Sequence, residues 1–79
     1  MKVTLDVVPQ FKKAVETKTG LYDYFNRLLD GCGAGVAEVV PGKDQVEFDI
    51  HPQGWPFVQN YLNNDPAFAG QVIKATIQP

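Results

Sequence analysis

The chain reads as an α+β domain with the element order β-α-β-β-α-β, on three observations. Apolar residues alternate with polar ones at Val3/Leu5/Val7, Val46/Phe48/Ile50 and Ile73/Ala75/Ile77, as strands do when one sheet face meets a core and the other meets water. Between these segments lie stretches whose apolar residues recur at helical spacing. Pro41-Gly42-Lys43-Asp44 has the turn chemistry that joins two neighbouring strands into a hairpin.

The first strand runs from about Lys2 to Val8 and ends at Pro9, whose fixed φ and missing N–H suit a helix start. Residues 10–16 form a short helix with Phe11, Ala14 and Val15 on one side, interrupted at 17–20. A second helix, about 20–30, aligns Leu21, Phe25, Leu28 and Leu29 in one apolar stripe, with Thr17 or Thr19 as its cap. Gly31 is placed to be the left-handed residue that ends it. Strand two follows, about Val36 to Val40. Burying Glu38 without a partner is costly, so Ala37 and Val39 are assigned to the core while Val36, Glu38 and Val40 face outward.

Strand three spans Gln45 to Ile50. Pro56 opens a helix to about Asn63, with Phe57/Tyr61 and Val58/Leu62 as i,i+4 pairs, and the spacing of Phe57 and Tyr61 assigns them, with Phe68, to the core. Asp65-Pro66 starts one further helical turn, Gly70 ends it, and strand four covers Gln71 to Gln78. This order is the ferredoxin-like plan: a four-stranded antiparallel sheet in the order four, one, three, two, with two helices on one face because each crossover is right-handed. The plan makes strands one and three central and strand two an edge.

Seventy-nine residues, 44% of them hydrophobic and 20% charged, match one compact α+β domain over residues 1–79 that buries roughly 60% of its unfolded surface. No run approaches the 18 or so apolar residues of a membrane span, and Lys2 followed by an alternating strand does not read as a secretory leader. The expectation is a cytoplasmic protein without a membrane partner. One cysteine, Cys32, allows neither an intrachain disulfide nor a multi-thiolate zinc site. With five basic and five acidic side chains in residues 1–40, and two basic against four acidic in 41–79, the chain lacks the clustered Lys and Arg that direct nucleic-acid binding requires.

On the expected open sheet face, Lys2, Thr4 and Asp6 lie beside Gln45, Glu47 and Asp49 without the aromatic platforms that RNA-binding domains of this plan use. Glu47, Asp49 and His51 share one side of strand three and are weak metal candidates, since two carboxylates and an imidazole can hold a divalent ion. No cofactor is expected. Gly31-Cys32-Gly33-Ala34-Gly35 follows a helix and precedes a strand, the reverse of a phosphate cradle, so chain reversal accounts for it. Cys32 has no cationic run around it and the only histidine, His51, is remote in sequence, which leaves a packing role. Two families that share the layout carry signatures missing here. Heavy-metal carriers place two cysteines where this chain has Pro9-Gln10, and acylphosphatases place an arginine there, whereas Arg27 lies in a helix.

Trp55, at a loop–helix junction, either lids the core or anchors a contact. At least one of Tyr22 and Tyr24 belongs on the surface, because Leu21, Phe25 and Leu28 fill the buried stripe. With no nucleophile–base or acid–base constellation, the expected function is non-enzymatic. The chain is expected to bind another protein, or itself as a homodimer, through the edge residues Val36, Glu38 and Val40 and the aromatics Tyr22, Tyr24 and Trp55. An inhibitor of a larger complex, such as a phage-encoded antagonist of a host defence complex, fits that class. The alternative is a small-molecule or metal-binding regulatory domain.

Overall fold

The computed structural model describes residues 1–78. Its elements are β1 (Lys2–Val7), α1 (Pro9–Thr17), α2 (Gly20–Gly31), β2 (Glu38–Val39), β3 (Gln45–Asp49), α3 (Trp55–Asn64) and β4 (Val72–Gln78). The strands form one sheet in the order β2-β3-β1-β4, and every neighbouring pair is antiparallel. The protein is therefore an α+β fold with a four-stranded antiparallel sheet and three helices.

β1 and β3 take the centre because their alternation lets one face be buried completely. Val3, Leu5, Val7, Val46, Phe48 and Ile50 form a single core cluster with Phe11 and Val15 of α1, Phe25 and Leu29 of α2, and Trp55, Val58 and Leu62 of α3. Phe25 is the hub: its ring lies 5.4 Å from Phe11, 5.4 Å from Phe68 and 5.8 Å from Phe48, each in an edge-on arrangement that aromatic quadrupoles favour. On the other face, Gln45 Nε2 donates to Asp6 Oδ1 (2.6 Å) and Lys2 Nζ lies 3.2 Å from Glu47 Oε2. Among the described residues no polar or charged side chain is buried.

Several expectations change on contact with the structure. The two helices expected at 10–16 and 20–30 both form, so the layer holds three helices rather than the plan's two; Lys18 adopts the left-handed conformation (φ 54°, ψ 48°) and donates its N–H to Ala14 O, closing α1 before α2 begins. Thr19 occupies the cap of α2 by position but makes no side-chain cap bond, while Thr17 Oγ1 donates back to Lys13 O (2.8 Å). Gly31 is still helical, and the left-handed residue after α2 is Gly33 (φ 76°). The segment at 66–70 is the single turn expected there and does not extend into a helix: the Phe68 and Ala69 N–H groups donate to Asp65 O, the Ala67 N–H donates to Asp65 Oδ1, and Gly70 (φ 76°) ends it.

Two corrections matter for function. Of the two i,i+4 pairs on α3, only Val58/Leu62 reaches the core; Phe57 is 64% exposed and Tyr61 45%, because Trp55, Val58 and Leu62 at i, i+3 and i+7 already occupy the inward stripe. Ile73, Ala75 and Ile77 are also outside the core. Ala75 and Ile77 sit opposite Leu5 and Val3 in register, yet Ile77 is 43% exposed, and Ile73, at the register shift beside Asp6/Val7, is 72% exposed. Edge position explains this, since the helix layer covers β1 and β3 and leaves β4 largely uncovered.

Candidate functional site

Antiparallel ladders alternate between residues whose peptide groups point to one neighbour and residues whose peptide groups point to the other. In β1 the Val7 N–H donates to Asp44 O on the β3 side, and the Val8 N–H donates to Gln71 O on the β4 side. Odd-numbered residues of β1 therefore bond β3 and even-numbered ones bond β4. By the register Thr4↔Thr76 and Lys2↔Gln78, the peptide groups of Thr76 and Gln78 face β1, whereas those of Ala75 and Ile77 face outward. β4 thus presents an open row of N–H and C=O groups. It is flanked by the exposed Ala75, Thr76 and Ile77 side chains, and Lys74 is its one charge.

The opposite edge is different. β2 is only two residues long, pairing Glu38 with Glu47 and Val39 with Val46; of the rest of the expected strand at 36–40, the Val40 N–H donates to Gln45 O (3.0 Å) while Val36 and Ala37 pair with no residue of β3. Just ahead of it, the Ala37 N–H donates to Asn26 Oδ1 of α2 (3.0 Å), so this backbone donor is occupied. Val15, Lys18 and Tyr22, from the corner between α1 and α2, line a groove of about 270 Å³ with Val36, Ala37, Glu38 and Val39. Val36 and Glu38 are exposed as expected, Ala37 is buried, and Tyr22 and Val40 are half-buried. The groove gathers Tyr22, Val36 and Glu38 in one place.

Trp55 corrects the contact set: at 7% exposure, with its ring 6.4 Å from Phe48, it lids the core and is not available as an anchor. Tyr24 is exposed but lies away from β2. Its ring stacks on Phe68 at 5.4 Å, and its hydroxyl donates to the Asp65 carboxylate. That bond, with a second from the Ala67 N–H, holds the Asp65 carboxyl below its ordinary value, and the same bond raises the Tyr24 phenol. Tyr24 and Tyr61 meet at Asp65, whose carboxylate accepts from the Tyr24 hydroxyl and whose N–H donates to Tyr61 O (2.8 Å), and Phe57, one turn before Tyr61, shares the exposed face of α3.

Beside this aromatic ridge is a cavity of about 470 Å³ lined by Cys32, Gly33, His51, Gln53, Phe57 and Tyr61, among others. It forms because the turn after α2 packs directly on the turn before α3. A Cβ placed on Gly54 would sit 2.0 Å from Cys32 O, so only glycine permits this approach. The fold brings Cys32 and His51 to one cavity although nineteen positions separate them. The Gln53 N–H donates to His51 Nδ1 (3.1 Å), which ties the ring to its own turn at the edge of the cavity.

Glu47 and Asp49 line a second groove, of about 300 Å³, with Lys2 and Glu38, and His51 lies outside it. Among the described residues no three His, Cys, Asp or Glu side chains form a group that could hold a metal ion, and no helix is long and apolar enough to cross a membrane. No family model matches this chain, and no curated protein and no solved structure gives a significant match.

Proposed function

We propose that this protein is a small non-enzymatic protein-binding module that works through an exposed sheet edge, with the aromatic ridge as a flanking surface. The observation that carries the reading is β4, whose outward Ala75 and Ile77 peptide groups and exposed apolar side chains are the template on which an added strand forms backbone bonds. The edge expected from strand two is the weaker candidate, since β2 is short and the neighbouring Ala37 N–H is bonded to Asn26. Tyr24, Phe57 and Tyr61 supply rigid, amphipathic contact area of the kind that anchors protein partners. Blocking a larger complex in the cytoplasm, as an inhibitor does, is the biological role we attach to this class.

The ferredoxin-like plan is our reading of the topology. Its support is the β2-β3-β1-β4 order, which read from the other edge is four, one, three, two, with α1 and α2 as a split first crossover. The test of function is capture from a lysate of the cells that make the protein, comparing the natural chain with Ala75→Pro. Proline removes an N–H that faces outward and spares the bonds to β1. A protein retained by the natural chain and lost with Ala75→Pro is the expected result; one held equally by both contradicts the edge as the binding site.

A second reading, a small-molecule regulatory domain, rests on the cavity beside Phe57 and Tyr61, whose volume lies in the range of ligand sites, about 300–1,000 Å³. A metabolite panel tests it by thermal shift, as a ligand at about 100 times its Kd adds about 2.7 kcal/mol.

A further inference from the structure

We infer that the strand added to β4 is β4 of a second copy, paired antiparallel about a two-fold axis at Thr76, which joins two sheets into one of eight strands. This inference rests on the reading of β4 as the binding edge and names its occupant. Backbone-directed pairing joins residues whose peptide groups both face outward, and on β4 those are Ala75 and Ile77. A two-fold axis perpendicular to the sheet at Thr76 sets Ala75 of each copy against Ile77 of the other as hydrogen-bonded pairs. Thr76 then lies against Thr76, as the closer non-hydrogen-bonded pair between them.

The side chains agree with that register. Ala75 and Ile77 lie on the helix side of the sheet, opposite Leu5 and Val3, so the axis sets the exposed Ile77 against a small apolar neighbour in the other copy. The two Thr76 side chains meet on the open face, where hydroxyls can bond each other and water. Lys74 faces Gln78, so no like charges are opposed, and Lys74 is the only charge on the strand. The register also avoids the irregular part of the edge, because the shift at Asp6/Val7 falls on the Val72–Lys74 side of the paired residues.

β2 cannot play this part in the same way. Pairing it to itself would bring the two Glu38 side chains of the dimer close together, in a ladder that already sets Glu38 opposite Glu47.

The test uses the full chain with Cys32→Ser, so that the only thiol is the one introduced. Cysteines facing each other in a non-hydrogen-bonded antiparallel pair have Cα atoms about 4.5 Å apart, within disulfide range. Lys74 and its symmetry mate are four residues out of register and about 13 Å apart, beyond it. Under mild copper-catalysed air oxidation, Cys32→Ser/Thr76→Cys is expected to give a disulfide-linked two-chain species, and Cys32→Ser/Lys74→Cys to stay a single chain. Light scattering of the natural protein should give a two-chain mass that falls to one chain on dilution, and to one chain at all concentrations with Ile77→Lys, an exposed position where folding tolerates the change. Equal cross-linking at both positions, or a one-chain mass for the natural protein up to its solubility limit, overturns the inference. A one-chain protein that nevertheless captures a different protein in an Ala75→Pro-sensitive manner overturns self-pairing alone and leaves the binding edge intact.

Discussion

β1 and β4 carry the same alternation and meet opposite fates. Val3, Leu5 and Val7 are at most 1% exposed, whereas Ile77 directly across from Val3 is 43% exposed. The two strands share a face, a register and a residue pattern; what differs is the number of neighbours. β1 has a strand on each side and helices above it, while β4 has a strand on one side only. Alternation therefore reports that a strand has two unlike faces, and the layer above decides whether the apolar face is covered. The apolar face left open on β4 is the surface that the proposed strand pairing would cover.

The largest effects should fall on β1 and its cover. Leu5→Ala is expected to cost about 2–5 kcal/mol, a large share of the total stability of a small domain, and Ile77→Ala less than about 1 kcal/mol, both read as shifts in denaturant midpoint with the protein dilute. Equal losses would mean that β4 is covered after all. Gly54→Ala comes next at about 1–3 kcal/mol, because its Cβ meets the Cys32 carbonyl oxygen at 2.0 Å and must displace the first turn of α3 from the sheet. A neutral result would contradict the tight approach of the two turns that builds the cavity.

Asn26→Ala sharpens the contrast between the two edges. Loss of the bond to the Ala37 N–H should cost about 1 kcal/mol, and it should raise hydrogen exchange at Ala37 more than at any residue of β3. Exchange at Ala37 unchanged by the substitution would remove the argument that β2 is guarded.

The smallest effect is pH-dependent and concerns the tether between α2 and the turn ahead of β4. Because the Asp65 carboxyl is lowered from 3.8 in the folded protein, the Tyr24 bond contributes stability above that value and loses it as pH falls through the folded pKa. Because the Tyr24 phenol is raised from 10.0, its contribution is present below 10.0 and lost as pH rises through the folded pKa. The stability difference between the natural chain and Tyr24→Phe should therefore be greatest between the two limits and close at both. A difference that persists unchanged through the acid limb would show that the bond to Asp65 is not its source.

Much of the architecture was legible in residue order. Parity in β1 and β3 named their five core residues and the adjoining Ile50, the stripe of α2 named Phe25 and Leu29, and the cost of burying Glu38 correctly put Ala37 inside. Three things were not legible, each for a physical reason. Phe57/Tyr61 and Val58/Leu62 have the same spacing, so periodicity alone does not say which pair faces inward; Trp55, three residues before Val58 and seven before Leu62, was the available signal. The exposure of Ile77 depends on which strands the helices cover, a tertiary property that alternation does not encode. The meeting of Cys32 and His51 depends on two turns packing at Gly54, and a glycine ahead of a helix gives no hint of what its missing Cβ makes room for.

The central claim is that β4 is the free edge of this sheet and that Ala75 and Ile77 direct their peptide groups away from it. Residue-resolved amide exchange in dilute solution, where the chains are apart, tests it most directly. Ala75 and Ile77 should exchange near the unprotected rate while Thr76 between them and Ala37 at the far edge are slowed. Protection of Ala75 and Ile77 equal to that of Thr76 would contradict the account.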